Sequence, residues 1–495
     1  MTHVPVGEEN IAAVHASAIG RAFREAVVTM LAALATLACV IAIDPEPGPG
    51  ILAVVLCLSL SRSHPERDRR GRIEAAIALP LVGLAAIGIG SLLLRMPWVG
   101  AAIFVAGMSA SIWLRRFGLA ARRAGSLIAL PLVALLVTPY VPTRQLPMWV
   151  AFFMPVVIAL LALAWVTAFQ FAARRVQFLA PSQPGPASTN IPSAASSLRP
   201  VATTRLALQM AVALGASFCI GYLFFDERWA WIVLTAFIVN SGNRGRLDVA
   251  YKSVLRVLGA AAGTVLALTL TVHVGAHSVA TVGLILAAVF LGMWLRPLGY
   301  AWWALFVTLA LALLQGFEGI SAQQMLSLRL EEIVIGAIVG VVSAWFVYPV
   351  RSIAVLRRRI ADALAIFADA LDPATPTRTA REFEDALARV SEVAPAFRAS
   401  RLATRRVRLV QPADWIDALL ACRGSAIVLI DNGDAPGDVR KAISKARAAL
   451  REPAELRSAL TNLRIALDRV GEAQASDRNI ETGSAPADPV PRAIE

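Results

Sequence analysis

Charge is scarce in this 495-residue chain. Asp, Glu, Lys and Arg make up 16% of it, against roughly 25% in an ordinary soluble domain, and 57% of its residues are apolar. With a mean hydropathy of +0.64, it has too little polar surface to cover a water-soluble fold of this length. Cysteine is equally sparse. Cys39, Cys57, Cys219 and Cys422 include no C-x-x-C pair, which argues against a disulfide framework or a thiolate metal site. The histidines, His3, His15, His64, His273 and His277, have no carboxylate or cysteine partner at ligand spacing, and the His273/His277 pair reads as solvated. No Walker loop, nucleophile elbow or H-E-x-x-H motif occurs, so neither enzyme chemistry nor a cofactor is expected. The first apolar run ends at Asp44-Pro45-Glu46-Pro47 without a small-residue cleavage pattern, so no cleavable leader is expected.

What the chain does hold is a series of apolar runs approaching the roughly 20 residues that carry a helix across a hydrocarbon core of about 30 Å. Six lie at about 26–43, 51–60, 73–94, 98–114, 126–141 and 148–171, and six more at about 206–225, 229–240, 254–272, 279–295, 300–314 and 333–350. The expected fold is an all-α membrane protein. The phrase W-L-R-x-x-G-x-A closes the fourth run of each set, beginning at Trp113 and at Trp294, 181 residues apart. Nearly the same offset pairs Asp44 with Asp226, Arg62 with Arg244 and Arg70 with Lys252. A fixed period of this size predicts two tandem six-helix repeats around a shared path.

Lys and Arg accumulate in cytoplasmic loops. Of the 24 basic residues through residue 350, only Arg95, Arg144, Arg228 and Arg329 fall in odd-numbered connections. Those connections also hold the acids Asp44, Glu46, Asp226, Glu227, Glu318, Glu331 and Glu332. Both termini are therefore expected in the cytoplasm. An even number of spans per repeat predicts a parallel duplication about a pseudo-twofold axis along the membrane normal.

The chain divides into an N-terminal segment 1–25, a first repeat 26–175, a Pro- and Ser-rich linker 176–204, a second repeat 205–350, a cytoplasmic helical domain 351–474 and a disordered tail 475–495. Residues 351–495 carry 20 of the 34 acids and 23 of the 47 basic residues, the composition of a soluble segment. Ile353, Leu356, Ile360, Ala363, Phe367 and Leu371 recur at spacings of three and four, and further helical patterns cover about 381–409, 413–430, 438–450 and 454–470. Arg398, Arg401, Arg405 and Arg408 fall near one helical face, either solvated or against anionic lipid.

The second run of each repeat is short, and at about 1.5 Å per residue covers only about 15–18 Å. Each passes directly into small, polar and basic residues: Ser61-Arg62-Ser63-His64 in one, Asn240-Ser241-Gly242-Asn243-Arg244-Gly245-Arg246 in the other. Interrupted segments at matching places in two repeats point to a transport site, because exposed backbone at membrane depth survives where it lines a cavity. The alternative is that these residues only anchor the cytoplasmic face. Arg244, Arg246, Lys252 and Arg256 form a basic cluster with Arg256 opening the next span, and guanidinium groups suit carboxylate cargo. Trp231 supplies a flat apolar surface, unless it belongs to an interfacial belt. Gly259 and Gly263, four residues apart, predict close helix packing, and Pro80, Pro131 and Pro155 predict kinks.

Trp231-x-x-x-Thr235, the Asn-Arg-rich break and Arg256-x-x-Gly259-x-x-x-Gly263 resemble the fusaric acid resistance and aromatic acid exporter family of bacterial membrane proteins, to which plant aluminium-activated malate channels are architecturally similar. The resemblance implies export of aromatic or related carboxylic acids across the inner membrane, drawing on the proton motive force. The short second runs, their polar breaks and the basic cluster, together with these motifs, make Arg244, Arg256, Arg246, Lys252, Asn240, Asn243, Thr235, Trp231 and Arg62 the candidate substrate-binding residues. The first repeat departs from the pattern: Glu74 stands where the offset calls for Arg256, and Trp231, Gly259 and Gly263 have no counterparts. The longer exporters' soluble insert is here reduced to the linker.

Two other classes stay open. A passive anion channel fits the lack of a convincing titratable relay inside the spans, and a non-transporting scaffold would use the tail to recruit partners. The expected partners are the lipid bilayer, small organic anions and, in a homo-oligomer, further copies of the chain. The net charge of +13 arises mainly from the basic loops and does not indicate nucleic acid.

Overall fold

The computed structural model describes residues 6–45, 47–63, 69–118, 148–179, 202–225, 228–271, 278–317, 322–372, 380–406, 411–433 and 436–483, with scattered residues between 121 and 136. Among them every regular element is a helix. The chain divides into two compact units, 1–184 with 192–349, and 185–191 with 350–495.

The first unit contains α1 (Val6–Ile43), α2 (Pro47–Ser63), α3 (Arg69–Arg95), α4 (Pro97–Trp113), α5 (Met148–Arg175), α6 (Ala202–Phe224), α7 (Trp229–Asn240), α8 (Arg246–Thr271), α9 (Val279–Trp294), α10 (Tyr300–Phe317) and α11 (Ala322–Phe346). Five stretches, Ala18–Ile43, Pro97–Phe117, Phe153–Arg175, Ala202–Phe224 and Arg246–Thr271, are long and apolar enough to cross a membrane. Gly48–Ser61, Gly83–Arg95, Trp229–Asn240, Val279–Trp294 and Tyr300–Leu314 are shorter apolar helices. Most of the run expected at 126–141, with Pro131, most of the linker, Asp226, Glu227, Glu318 and the His273/His277 pair lie outside the described residues.

The repeated phrase has one local structure in both copies. After Trp113 the α-helix tightens into a 3₁₀ turn, Leu114–Phe117, and Gly118 follows at φ 99°. After Trp294 the chain does the same through Arg296–Leu298 and Gly299, at φ 151°. Glycine is required at both places because a Cβ disfavours such backbone.

Helix direction is fixed by close contacts. A Cβ at Gly336 would lie 2.8 Å from the Thr235 Cβ, and one at Gly340 2.9 Å from Asn240 Nδ2, so α7 and α11 run parallel. Gly259 faces Ala301 and Ala304 while Gly263 faces Leu305 and Thr308, so α8 and α10 are parallel as well. The expected packing role of this glycine pair is what the structure shows.

Three boundaries differ from expectation. α2 has 17 residues, about 25 Å, because Pro47 to Gly50 begin it and Ser61 to Ser63 end it, so it is longer than its apolar run, while α7 keeps the expected 12 residues. α8 begins at Arg246, eight residues early, since Asp248 complements its N-terminal dipole and pairs with Lys252 at i,i+4. Arg256 therefore lies in its third turn and does not open it. α11 begins at Ala322, which places Arg329 and Glu332 inside a helix and not in a loop.

The second unit comprises α12 (Ser352–Ala370), α13 (Ala380–Ser391), α14 (Ala394–Thr404), α15 (Pro412–Ala421), α16 (Arg423–Asn432), α17 (Gly437–Ala449) and α18 (Pro453–Gly483). Its α12 stripe is buried at Leu356, Ile360, Ala363 and Phe367, and Phe367 stacks on Phe383 of α13 at 4.8 Å. The pattern at 381–409 forms two helices because Pro395 sits in the first turn of α14, and that at 413–430 divides at Cys422. α18 continues through 475–483, where a tail is expected, because the first proline after Pro453 is Pro486. Arg398 and Arg401 are held within the unit: Asp417 accepts from Arg398 Nη2 at 2.7 Å and from Arg401 Nη1 at 2.8 Å, and Arg401 also reaches Asp414 at 3.0 Å. Arg405 caps α14, and Arg408 is outside the described residues.

Candidate functional site

The break between α7 and α8 is a hydrogen-bonded structure. Asn243 Oδ1 accepts from the Gly245 amide at 2.6 Å, and its Nδ2 donates to Gln209 Oε1 of α6 at 3.2 Å. Gln209 Nε2 donates in turn to the carbonyls of Val347, at 2.9 Å, and Tyr348, at 3.3 Å, just past α11. A polar clasp thus ties the first, second and last helices of this half. In the other half Thr29 of α1 and Ser61 of α2 share a hydrogen bond of 2.6 Å, and Gln170 Nε2 of α5 donates to Ser61 at 3.4 Å. Neither Gln209 nor Gln170 is among the candidates that sequence offers.

The basic cluster closes on its own chain. Buried Asp248 accepts from the Arg244 amide at 3.2 Å and pairs with Lys252 Nζ at 2.8 Å. Lys252 also donates to the carbonyls of Ser241, at 3.4 Å, and Gly242, at 3.3 Å. Arg246 is exposed, with its guanidinium 5.7 Å from the Trp345 ring centre. The side chain of Arg62 is outside the described residues. These contacts account for the shape of the break.

Arg256 is different. It is 1% exposed, the largest fully buried side chain, and its Nε and Nη1 have no hydrogen-bond partner among the described residues. The rise of α8 puts it about 15 Å from Arg246 along the axis, and one turn, about 6 Å, beyond Lys252. The buried hydroxyl of Tyr300, at the start of α10, interacts with it electrostatically and has no hydrogen-bond partner among those residues either. Ser253 Oγ, one turn earlier on the buried face of α8, and Thr308 Oγ1, opposite Gly263, are in the same state. A polar seam therefore runs where two parallel helices meet. A guanidinium away from water with nitrogens unbonded is costly by several kcal/mol, and a carboxylate supplies the missing charge and acceptors.

The α7 candidates face α11. Thr235 is fully buried against Gly336, and Asn240 Nδ2 donates to the Ala236 carbonyl at 3.0 Å beside Gly340. Trp231 lies under Arg329, whose guanidinium is 4.2 Å from the ring centre. Next to them is Glu332, expected in an outer-face connection, 1% exposed, with Arg228 Nη1 3.6 Å from its Oε1. Its signal was available, because Glu332, Gly336 and Gly340 recur every four residues on one helix face.

Residues 214–343 match the family model described as fusaric acid resistance protein-like. The matched stretch holds α7 to α10 whole, the second half of α6 and most of α11, including Arg256, Tyr300 and Glu332, and with the apolar helices it identifies a multi-pass membrane protein. No curated protein and no solved structure shows a significant match.

Proposed function

We propose that the chain exports small organic carboxylates, aromatic acids foremost, across a bacterial inner membrane, and that the cargo carboxylate pairs with Arg256 on the α8–α10 seam. The observation that carries this reading is the fully buried guanidinium with two nitrogens lacking a hydrogen-bond partner among the described residues. The family match to residues 214–343 agrees with transport as the class of activity.

The proposed architecture is a parallel duplication of six-helix repeats with both termini cytoplasmic. Three observations support it. The W-L-R-x-x-G phrases fold alike. The two clasps join matching helices. Packing between the halves also recurs crosswise, α4 on α6 and α1 on α9, each pairing a fourth helix with a first. The second unit is then a cytoplasmic helical domain.

The test is growth and efflux of a deletion strain complemented with wild type or variants, on a panel of aromatic carboxylic acids. A charge-assisted contact is worth about 1.5–3 kcal/mol, so Arg256→Ala should weaken cargo handling roughly ten- to a hundredfold at equal membrane abundance. Equal transport by wild type and Arg256→Ala would remove the site from the seam.

A further inference from the structure

We infer that the Tyr300 hydroxyl is the second ligand of the cargo carboxylate, donating to one of its oxygens while the Arg256 guanidinium takes the other, so that two helices hold the acid head between them. The inference rests on the carboxylate-transport reading above and adds a residue to that site.

Arg256 and Tyr300 are close enough to interact electrostatically. Yet they do not bond. Arg256 Nε and Nη1 and the Tyr300 hydroxyl are each buried without a hydrogen-bond partner among the described residues. Two neighbouring donor groups that do not bond each other are satisfied together by an acceptor about 2.7–3.0 Å from both. A carboxylate has the reach, because its two oxygens offer about four lone-pair sites, and its charge strengthens each bond. Among the described residues of α7 to α11 the chain supplies no such group. Asp248 is taken by Lys252 and the Arg244 amide, and Glu332 interacts with Arg228, Arg329 and Glu331. Glu25 of α1 acts on Arg296, in the turn before α10.

The packing sets both side chains at one level. Gly259 of α8 lies on Ala301 and Ala304 of α10, and about one turn earlier on each helix the same register brings Arg256 to Tyr300, the first residue of α10. Tyr300 owes its place to the repeated phrase, since Gly299 at φ 151° leads the chain from the 3₁₀ turn into α10. Just past the pair the seam is shut: a Cβ at Gly259 would lie 2.8 Å from the Ala304 Cβ and 2.9 Å from the Ala301 carbonyl oxygen. Only the acid head, and not the body of the cargo, enters between the helices. The first copy of the phrase has Leu119 in place of Tyr300, and that half has Glu74 in place of Arg256, so the guanidinium and the hydroxyl occur together in one half and are both absent from the other.

The experiment is calorimetric titration of the purified full-length protein with benzoate, alongside its thermal midpoint without ligand. Tyr300→Phe removes the hydroxyl and keeps the ring, and should weaken benzoate binding roughly tenfold, the worth of one hydrogen bond to a charged acceptor. Its unliganded midpoint should match or exceed that of wild type, because the substitution removes a buried hydroxyl that has no hydrogen-bond partner among the described residues. The inference is overturned if Tyr300→Phe binds benzoate within about twofold of wild type. It is also overturned if the unliganded midpoint falls along with the affinity, which would make the hydroxyl part of the protein's own packing. If Arg256→Ala loses binding while Tyr300→Phe does not, the seam stands and the role of Tyr300 falls alone. No benzoate binding by wild type would sink both.

Discussion

Gly263 and Leu305 approach so closely that a Cβ on the glycine would stand 2.5 Å from the leucine carbonyl oxygen. Backbone cannot yield as a flexible side chain can, so α8 and α10 would have to separate. We expect Gly263→Val to cost about 1–3 kcal/mol, seen as a lower thermal midpoint and less protein in the membrane. Gly215→Ala is the control: nothing lies within 4 Å of its added Cβ in mid-α6, and alanine is the better helix former. Its midpoint should match or exceed wild type.

Asp248 holds the break together, and removing it leaves the Lys252 ammonium and the Arg244 amide without their shared acceptor. Loss of one partner from a largely buried pair costs about 3–5 kcal/mol. Lys252→Ala leaves a carboxylate still bonded to backbone N–H, and should cost less. Membrane abundance and thermal midpoint should therefore fall further for Asp248→Ala than for Lys252→Ala. The reverse order would mean that the lysine's contacts to the Ser241 and Gly242 carbonyls hold the break.

How much of this was readable beforehand depends on the signal. The matching helix ends were legible because Trp113 and Trp294 open phrases of one pattern, each requiring a glycine after a tight turn. Arg256 was legible as a candidate by its type, but not by its place, because hydropathy alone starts α8 where the apolar run starts, and ignores the Asp248–Lys252 pair that carries the helix eight residues further back. Glu332 was misplaced for the same reason: its charge ended the hydropathy window although its face of α11 continues through Gly336 and Gly340. The clasps were not legible at all. Gln170 and Gln209 have no motif, and meet Ser61 and Asn243 only once the helices are packed.

In the second unit, Asp417 should couple stability to acid. Partial burial pushes its carboxyl up, but the hydrogen bonds and charges of Arg398 and Arg401 outweigh that and hold it below the usual carboxylate range. A lowered folded-state pKa means the stabilisation is present above the ordinary carboxylate pKa, and is lost as pH falls through the lowered one. Cys422, which caps α15, reports it: burial pushes its thiol up to about 12, so the native thiol should resist maleimide until the unit opens. The urea midpoint for labelling the Cys422 peptide, read by mass spectrometry on the full chain, should be lower for Asp417→Asn at pH 7. The gap should narrow towards pH 3. A gap that is constant with pH would assign the effect to packing.

Topology follows from helix directions together with the placing of charge. Because α7 and α11 are parallel, as are α8 and α10, consecutive helices of the second half alternate, and the two ends of the bundle differ sharply. One carries Arg174, Arg175, Arg244, Arg246 and Arg296; the other carries Arg228 and Arg329, with Glu332 between them. In the proposed orientation, with basic residues retained on the cytoplasmic side, the break, the Lys252 cluster and Gly299 would lie inside and Glu332 near the outer face. An alkaline phosphatase fusion after Gly299 should be inactive, and one after Met96, in the connection between α3 and α4, active. Because the duplication is parallel in this reading, a fusion after Gly118, the counterpart of Gly299, should also be inactive. Activity after Gly118 with none after Gly299 would mean that the halves are inverted, and would move Arg256 and Glu332 to membrane depths that no longer correspond to positions 181 residues earlier.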